Sequence, residues 1–426
     1  MVEMFGRGGL LHYSWQLAQA LAERGLEVTL LTGRAREPGV GEGAAPSGAR
    51  LRAELNTWNP QGRPRGLPPA LLRMVRGGRY LLAWRQVLAV ARQQQPQLVL
   101  LGDLEHRLDA WAVGRLRRAG RWQLADIWHN VEMFERRRPG RVVRRAAWRW
   151  RMARAFDRVF VHGERLRAEL ERATGVGATV IPHGNQQWLL ELAGPDPGLR
   201  ERLQIDPARP VALLVGALSA YKGVGVLLEA LALVAARERP QVVVAGMPTA
   251  GVRVEPWRRQ AERLGVAAAL RWDLHYVPTA ELAWYMRLAD CVVLPYLAAS
   301  QSGVAHLAMT AARPIIVSDA GSLAELVDGN GLVVAAGSAP ELAAALRRLA
   351  GDAALRRRMG ERSRELALTR HSWQRVAAGV CAACGLAPDA PLPLSGRGGG
   401  TASKAECIPT AKVASEEAAS RELLRL

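Results

Sequence analysis

The chain has 426 residues, of which 49% are apolar and 23% charged, the balance of a globular protein with room for two or three domains. No run of 18 apolar residues occurs and no secretory leader is evident, so neither a membrane span nor export is predicted. The net charge of +19 is concentrated early, with 32 Arg against 18 Asp plus Glu in residues 1–200, and predicts attraction to an anionic partner such as a phosphorylated metabolite, nucleic acid or anionic lipid.

In chain order, a short stub, "MVEMF", precedes glycines at Gly6, Gly8 and Gly9. A full first strand is expected before such a turn, so either the strand is a stub or the natural start lies upstream. Residues 11–24 carry apolar side chains at helical spacing and end at Gly25, a suitable C-cap. Buried strands are predicted at 26–33, 97–103, 124–129, 158–163 and 178–184, with helical stretches between them. The stretch 194–210 is rich in Pro and Gly and reads as a linker. The style then repeats: strands at 211–218, 241–247, 270–277, 291–297 and 314–320 alternate with helices at 224–237, 256–264, 280–288 and 303–312. Such alternation predicts parallel sheets with right-handed crossovers. Two series of similar size predict an α/β protein of two doubly wound domains, with ligands at the carboxyl ends of the strands and a cleft between the halves. Residues 391–426 have linker composition and are expected to be disordered.

Lysine is scarce: Lys222, Lys404 and Lys412 are the full set, against 58 Lys plus Arg. A position that keeps Lys in so Arg-biased a chain is expected to need a compact ammonium rather than a planar fork. Lys222 falls where a strand gives way to a helix, in "VGALSAYKGVGVLLEALALV", beside a helix N-terminus. Two positive features converge there and suit a diphosphate; a solvated surface Lys is the bland alternative. Gln301, Ser302 and Gly303 open another helix after a strand, where amides and a hydroxyl make a second anion cradle, or simply an N-cap. Gly8 and Gly9 allow close backbone approach at a helix start, and an ordinary tight turn explains them equally.

Four cysteines, Cys291, Cys381, Cys384 and Cys407, do not make a disulfide framework and fit a reducing cytosol. Cys381 and Cys384 form one C-x-x-C without further ligands nearby and read as small helix residues. His129, after a strand in "DIWHN", is either an active-site group or a hydrogen-bonded structural residue; His183 reads as shaping a turn, and His162 and His306 as structural. The run 136–156, "RRRPGRVVRRAAWRWRMARAF", interleaves Arg with Trp148 and Trp150. It reads equally as an amphipathic helix on anionic lipid and as a half-buried helix with snorkelling Arg stems.

Taken together, "RGGLLHYSWQLAQALAERGLEVTLLTG" near the start, "IPHG" at 181–184, "KGVGVLLEALALV" at 222–234, "SGVAHLAMTAARPIIVSDAGSLAELV" at 302–327 and "SW" at 372–373 resemble the retaining GT-B glycosyltransferases of family 4, over roughly residues 6–385, in a branch with a "QSG" loop in place of the usual first Glu. The resemblance implies a GT-B fold of two facing Rossmann-like domains: an acceptor-side domain at 1–200, joined by a returning final helix at about 371–388, and a nucleotide-sugar domain at 205–370. It implies transfer of a sugar from a nucleotide-diphosphate-sugar to a saccharide or lipid-linked acceptor hydroxyl with retention, in cell-surface polysaccharide or glycolipid synthesis, in the cytoplasm or peripherally on the inner membrane face. Lys222 and His129 then take catalytic roles, and Gly8, Gly9, Ser219, Gln301, Ser302, Gly303 and Glu325 bind the donor. No metal or other cofactor is expected, because Lys and helix ends carry the counter-charge, and no nucleic-acid partner is expected. Two departures from the family pattern stand out. The Arg that often precedes the Lys is replaced around Ala217, Leu218 and Ser219, and the usual pair of Glu falls at Ala299 or Ser300 and at Leu307. These departures keep a weak or inactive GT-B-like binding protein as an alternative, and the charge keeps a basic nucleic-acid-binding protein as another.

Overall fold

The computed structural model describes residues 1–6, 8–34, 40, 48–57, 68–102, 104, 106–130, 147–192, 194–196 and 198–386. The expected disordered tail at 391–426 and residues 136–146 of the basic run lie outside the described residues. The first half runs α1 (Gly8–Glu23), β1 (Thr29–Gly33), β2 (Arg50–Leu55), α2 (Pro69–Gln94), β3 (Leu98–Gly102), α3 (Arg107–Ala119), β4 (Gln123–Trp128), α4 (Ala147–Ala153), β5 (Arg158–Val161), α5 (Glu164–Thr174), β6 (Thr179–Val180) and α6 (Gln187–Leu192). The second runs α7 (Leu199–Arg202), β7 (Val211–Val215), α8 (Val224–Ala232), β8 (Gln241–Ala245), α9 (Glu255–Arg263), β9 (Leu270–Asp273), α10 (Leu282–Leu288), β10 (Cys291–Leu294), α11 (Gly303–Thr310), β11 (Ile315–Ser318), β12 (Gly331–Val334), α12 (Ala339–Gly351), α13 (Ala353–Leu368) and α14 (Trp373–Cys384).

The strand stub is short but occupied. Val2 bridges in parallel to Leu31 on one side and Leu101 on the other, its amide donating to the Leu100 carbonyl at 2.9 Å while Glu3 donates to Leu31. It thereby joins the pair β2-β1 to the run β3-β4-β5-β6, every neighbour parallel. The second sheet has the order β12-β11-β10-β7-β8-β9, also parallel throughout. β7 reads "VALLV" and is buried at all five positions, as a strand covered by helices on both faces must be. Each fully buried Leu or Val contributes about 1.5–3 kcal/mol, so these runs anchor the fold. On the first sheet α1 and α14 cover one face through Leu11, Leu17, Phe160, Trp373, Val376 and Val380, while α2 and α3 cover the other through Trp84, Val87, Val113 and Leu116. The last helix thus returns to the first half, tied there by Arg158 Nε donating to the Ala383 carbonyl and Gln123 Nε2 to that of Cys384.

The strands end earlier than the apolar pattern suggests, because their last residues leave the ladder to build loops. β9 stops at Asp273, whose carboxylate is gripped by Arg202 and by the Tyr285 hydroxyl. That grip holds the Asp273 pKa below its ordinary value, against the burial that pushes it up. The expected linker is not bare chain: α7 lies within it, and Leu199, Leu203 and Ile205 are buried in the second-half core. β2 and β12 escape the sequence reading. β2, "RLRAEL", is a half-exposed edge with Arg at alternate positions, and β12 is four residues long.

Candidate active site

β7, β10 and β11 each run into a loop at their carboxyl ends, and the three loops meet. Gly216 after β7 and Gly246 after the neighbouring β8 adopt positive φ of 113° and 131°, and a Cβ on Gly246 would stand 2.1 Å from the Gly216 carbonyl oxygen. The chain then folds into a 3-10 turn, Ala220–Lys222, closed by Gly223. Lys222 is 7% exposed. Its Nζ donates to the Tyr296 hydroxyl at 2.8 Å and lies 4.5 Å from that ring's centre, so an ammonium on a flexible stem is held to one spot by a phenol that arrives just after β10. A Cβ on Gly216 would fall 3.3 Å from Nζ and 3.6 Å from Val304 Cγ2. The Lys222 amine and the first turn of α11 therefore flank the same glycine.

α11 starts at Gly303 with Ser302 as its N-cap, the hydroxyl accepting from the Ala305 amide at 3.3 Å. Around this start lie buried polar atoms with no hydrogen-bond partner: Ser219 Oγ, Ser300 Oγ, Gln301 Oε1 and Ser322 Oγ. Buried polar atoms are ordinarily satisfied, so a group of this kind beside a cation and a helix N-terminus is what a polar anionic ligand would complete. Ala299 and Leu307 are buried in the apolar core, so neither supplies a polar contact in place of the Glu that the family pattern puts there.

On the first half, the loops after β4, β5 and β6 deliver His129, His162 and His183. His129 Nδ1 lies 3.1 Å from His162 Nε2, and His162 Nδ1 lies 3.3 Å from the Ile181 carbonyl. His183 stacks on His306 of α11 with centroids 4.4 Å apart, and His306 meets His371 edge-on at 4.8 Å. Tyr13 of α1 packs against His129, His162, His183 and Trp373. The five imidazoles thus run from the first half into the second. Burial drives His129 down to about 3, helped by repulsion from His183 and Arg149. It takes His183 and His371 to about 4 and holds His162 and His306 well below the ordinary value. All five are neutral at physiological pH. His129 also borders, with Tyr13, Ser14 and Gly102, a cavity of about 10 Å³, room for one water.

Comparison with known proteins agrees with this geometry. Residues 7–185 match the family described as Glycosyltransferase Family 4, and residues 209–352 match Glycosyl transferases group 1. The chain is similar to the alpha-D-kanosaminyltransferase of Streptomyces kanamyceticus, at 34% identity over 41% of this chain and 45% of that one. It is also similar to the D-inositol 3-phosphate glycosyltransferase of Kineococcus radiotolerans, at 28% over 84% and 85%. That second protein apart, the chain spans about half the length of the curated relatives it matches. Among solved structures, a sucrose-phosphate synthase from Thermosynechococcus elongatus superposes with a TM-score of 0.67 at 23% identity, covering 89% of this chain and 94% of that one. HepE of Anabaena, solved with UDP-glucose, gives 0.64 at 18%, covering 89% and 98%. The two family matches together tile about three-quarters of the chain, and the fold is GT-B.

The chain belongs to the GT-B glycosyltransferases of the family 4 type.

Within this GT-B frame, Lys222, Ser219, Gln301, Ser302 and Gly303 converge, and His129 sits in the first-half histidine group. Gly8, with φ of 65°, and Gly9 form the first turn of α1 rather than a loop before it, and a Cβ on either would meet nothing within 4 Å. Glu3 holds the turn from below, its carboxylate accepting from the Phe5 and Gly6 amides and from the Thr32 hydroxyl. Glu325 is placed elsewhere than expected. Its two carboxylate oxygens accept from the Glu164 and Arg165 amides at 2.9 Å each, at the N-terminus of first-half α5. Arg165 in turn donates to the Asp319 carbonyl, and Gly163 lies so close that a Cβ there would meet Ser322 Oγ at 2.4 Å. Glu325 is therefore spent on the other half. The sequence reading gave His183 as shaping a turn and His162 and His306 as structural, and did not single out Tyr296, Tyr13 or His371; the one available signal for the group was that most of the eight histidines follow strands or open turns. Cys291, Cys381 and Cys384 are buried free thiols, and among the described residues no group of His, Cys, Asp and Glu is disposed to hold a metal.

Proposed function

We propose that the protein transfers a sugar from a nucleotide-diphosphate-sugar to an acceptor hydroxyl with retention at the anomeric carbon. The observation that carries this is the Lys222 ammonium, buried and fixed by Tyr296, beside the N-terminus of α11 and its unpartnered polar atoms. As the glycosidic bond breaks, the departing diphosphate gains negative charge; Lys222 and the amides opening α11 meet it without reorganising. Ser219 and Gln301 contribute polar contacts, Ser302 and Gly303 present the helix end, and the open space above Gly8 and Gly9 admits the sugar or acceptor. His129 accepts from a donor-sugar hydroxyl. This arrangement calls for no metal, since Lys222 and α11 supply the counter-charge. Glu325 serves as a bridge between the halves instead of a donor contact.

The acceptor is proposed to be a saccharide or a lipid-linked one, at an anionic membrane face on the cytoplasmic side. Supporting a membrane face, exposed Leu71, Met74 and Leu82 on α2 and Leu108 and Trp111 on α3 accompany a strongly basic first half. Among the described residues no helix is long and apolar enough to cross a membrane.

The test is a panel of nucleotide-sugars, followed by thermal stabilisation and by sugar release, with Lys222→Ala alongside. A charge-assisted contact is worth about 1.5–3 kcal/mol, so the variant should bind its donor about ten-fold or more weakly and lose more than that in kcat/KM. Equal behaviour of parent and variant removes Lys222 from the site. Donor binding without turnover in the parent would favour the binding-protein alternative, which the apolar Leu307 and Ala299 keep alive.

A further inference from the structure

We propose that His162 is a positioning residue that fixes the tautomer of His129, putting its proton on Nδ1 and leaving Nε2 as a bare acceptor. The assignment follows from a chain of partners. The Ile181 carbonyl can only accept, so the His162 nitrogen 3.3 Å from it, Nδ1, carries a hydrogen. A neutral imidazole has one N–H, so His162 Nε2 is a lone pair. That lone pair lies 3.1 Å from His129 Nδ1, which must therefore donate, and the neutral His129 ring then has no proton on Nε2. Tyr13 holds the ring plane, meeting His129 edge-on at 4.6 Å. A solvated histidine prefers its proton on Nε2, so the protein imposes the less common form. Burial keeps both rings neutral, since each charged form would sit without a carboxylate partner among described residues.

No described residue hydrogen-bonds His129 Nε2. A bare Nε2 accepts from a hydroxyl and repels carbonyl, carboxylate and phosphate oxygens. His129 thus selects an O–H of the ligand, and His162 decides that it does. What the O–H belongs to rests on the transferase reading, where it is a hydroxyl of the donor sugar; the tautomer itself does not depend on that reading.

The experiment uses the full chain with 15N-labelled histidine and a long-range 1H–15N correlation at pH 7.5, with His129→Gln to assign the His129 signals. The parent is expected to show a protonated Nδ1 and an unprotonated Nε2 at His129. In His162→Phe that pattern should be lost. In His162→Gln it should persist, because the Gln amide can accept from His129 and donate to Ile181. Kinetically, His162→Phe should raise the KM for the nucleotide-sugar about ten-fold, the worth of one hydrogen bond to a fixed partner, and His162→Gln should recover most of it. A parent His129 protonated on Nε2, or a pattern unchanged in His162→Phe, overturns the proposal. If His162→Phe fails to fold, the parent and His162→Gln spectra decide alone. The expected tautomer in a protein that moves no sugar would sink the transferase reading and leave the tautomer lock standing.

Discussion

Gly223 sits between Lys222 and α8 with φ of 72°, and a Cβ there would be 1.9 Å from the Pro295 carbonyl oxygen. Both backbone conformation and space forbid a side chain. Gly223→Ala is expected to cost about 3 kcal/mol or more, seen as a lower urea midpoint at unchanged slope. Gly9 is the contrast: a Cβ there enters open space, and Ala favours a helix start. Gly9→Ala should leave the urea midpoint unchanged or slightly raised while raising KM for the donor or acceptor. A stability loss as large as that of Gly223→Ala would show that Gly9 is structural. Lys222 was legible in the sequence because its scarcity singled it out and the strand-to-helix turn gave it a place. Tyr296 was not, because nothing in the order of residues brings a phenol 74 positions away onto that amine; the pairing of β7 with β10 does it.

At the scale of elements, α5 begins without a side-chain cap of its own: its N-cap is Gly163, and the orphan amides of Glu164 and Arg165 are satisfied from the opposite half by Glu325. A carboxylate at a helix N-terminus is worth about 0.5–2 kcal/mol. Glu325→Ala should lower the thermal midpoint modestly and speed hydrogen exchange at the amides of residues 164 and 165 above all others. Exchange unchanged at those two amides would dismiss the bridge. The strands of both sheets were visible as apolar runs, since a strand covered on both faces must be apolar throughout. Their ends were not, because the residues that leave each ladder, such as 216–218 and 295–297, are as apolar as those that stay. Glu325 was misplaced for a related cause: a motif position tells which loop a side chain belongs to and not which half that loop leans on.

Across the whole molecule, the histidine group makes stability depend on pH. His129, His162, His183, His306 and His371 all titrate below the ordinary value of 6.5 when folded. In the unfolded chain they bind protons first, so protonation favours unfolding. Above about pH 6.5 the neutral rings carry no such penalty; below it stability is lost, for His129 down to about 3, for His183 and His371 down to about 4, and for His162 and His306 from 6.5 downward. Each histidine adds about 1.4 kcal/mol per pH unit in that window, so the urea midpoint should drop steeply between pH 6.5 and 4.5. His306→Phe, which keeps the stacking partner of His183, should flatten the slope by about one proton. A slope equal to the parent's would remove His306 from the set. This group could not be read from the sequence, because its members come from the loops after β4, β5 and β6, from within α11 and from the turn before α14, and meet only in the folded chain.

The rarity of lysine has a practical side as well. In the first 403 residues an amine-selective acylating reagent has one side chain to find, Lys222, and its amine is tucked against a tyrosine ring. A single peptide in a mass spectrum therefore reports on the proposed pyrophosphate cradle. Slow tagging at position 222, made slower still by a nucleoside diphosphate, would register occupancy in the native protein with no mutation at all.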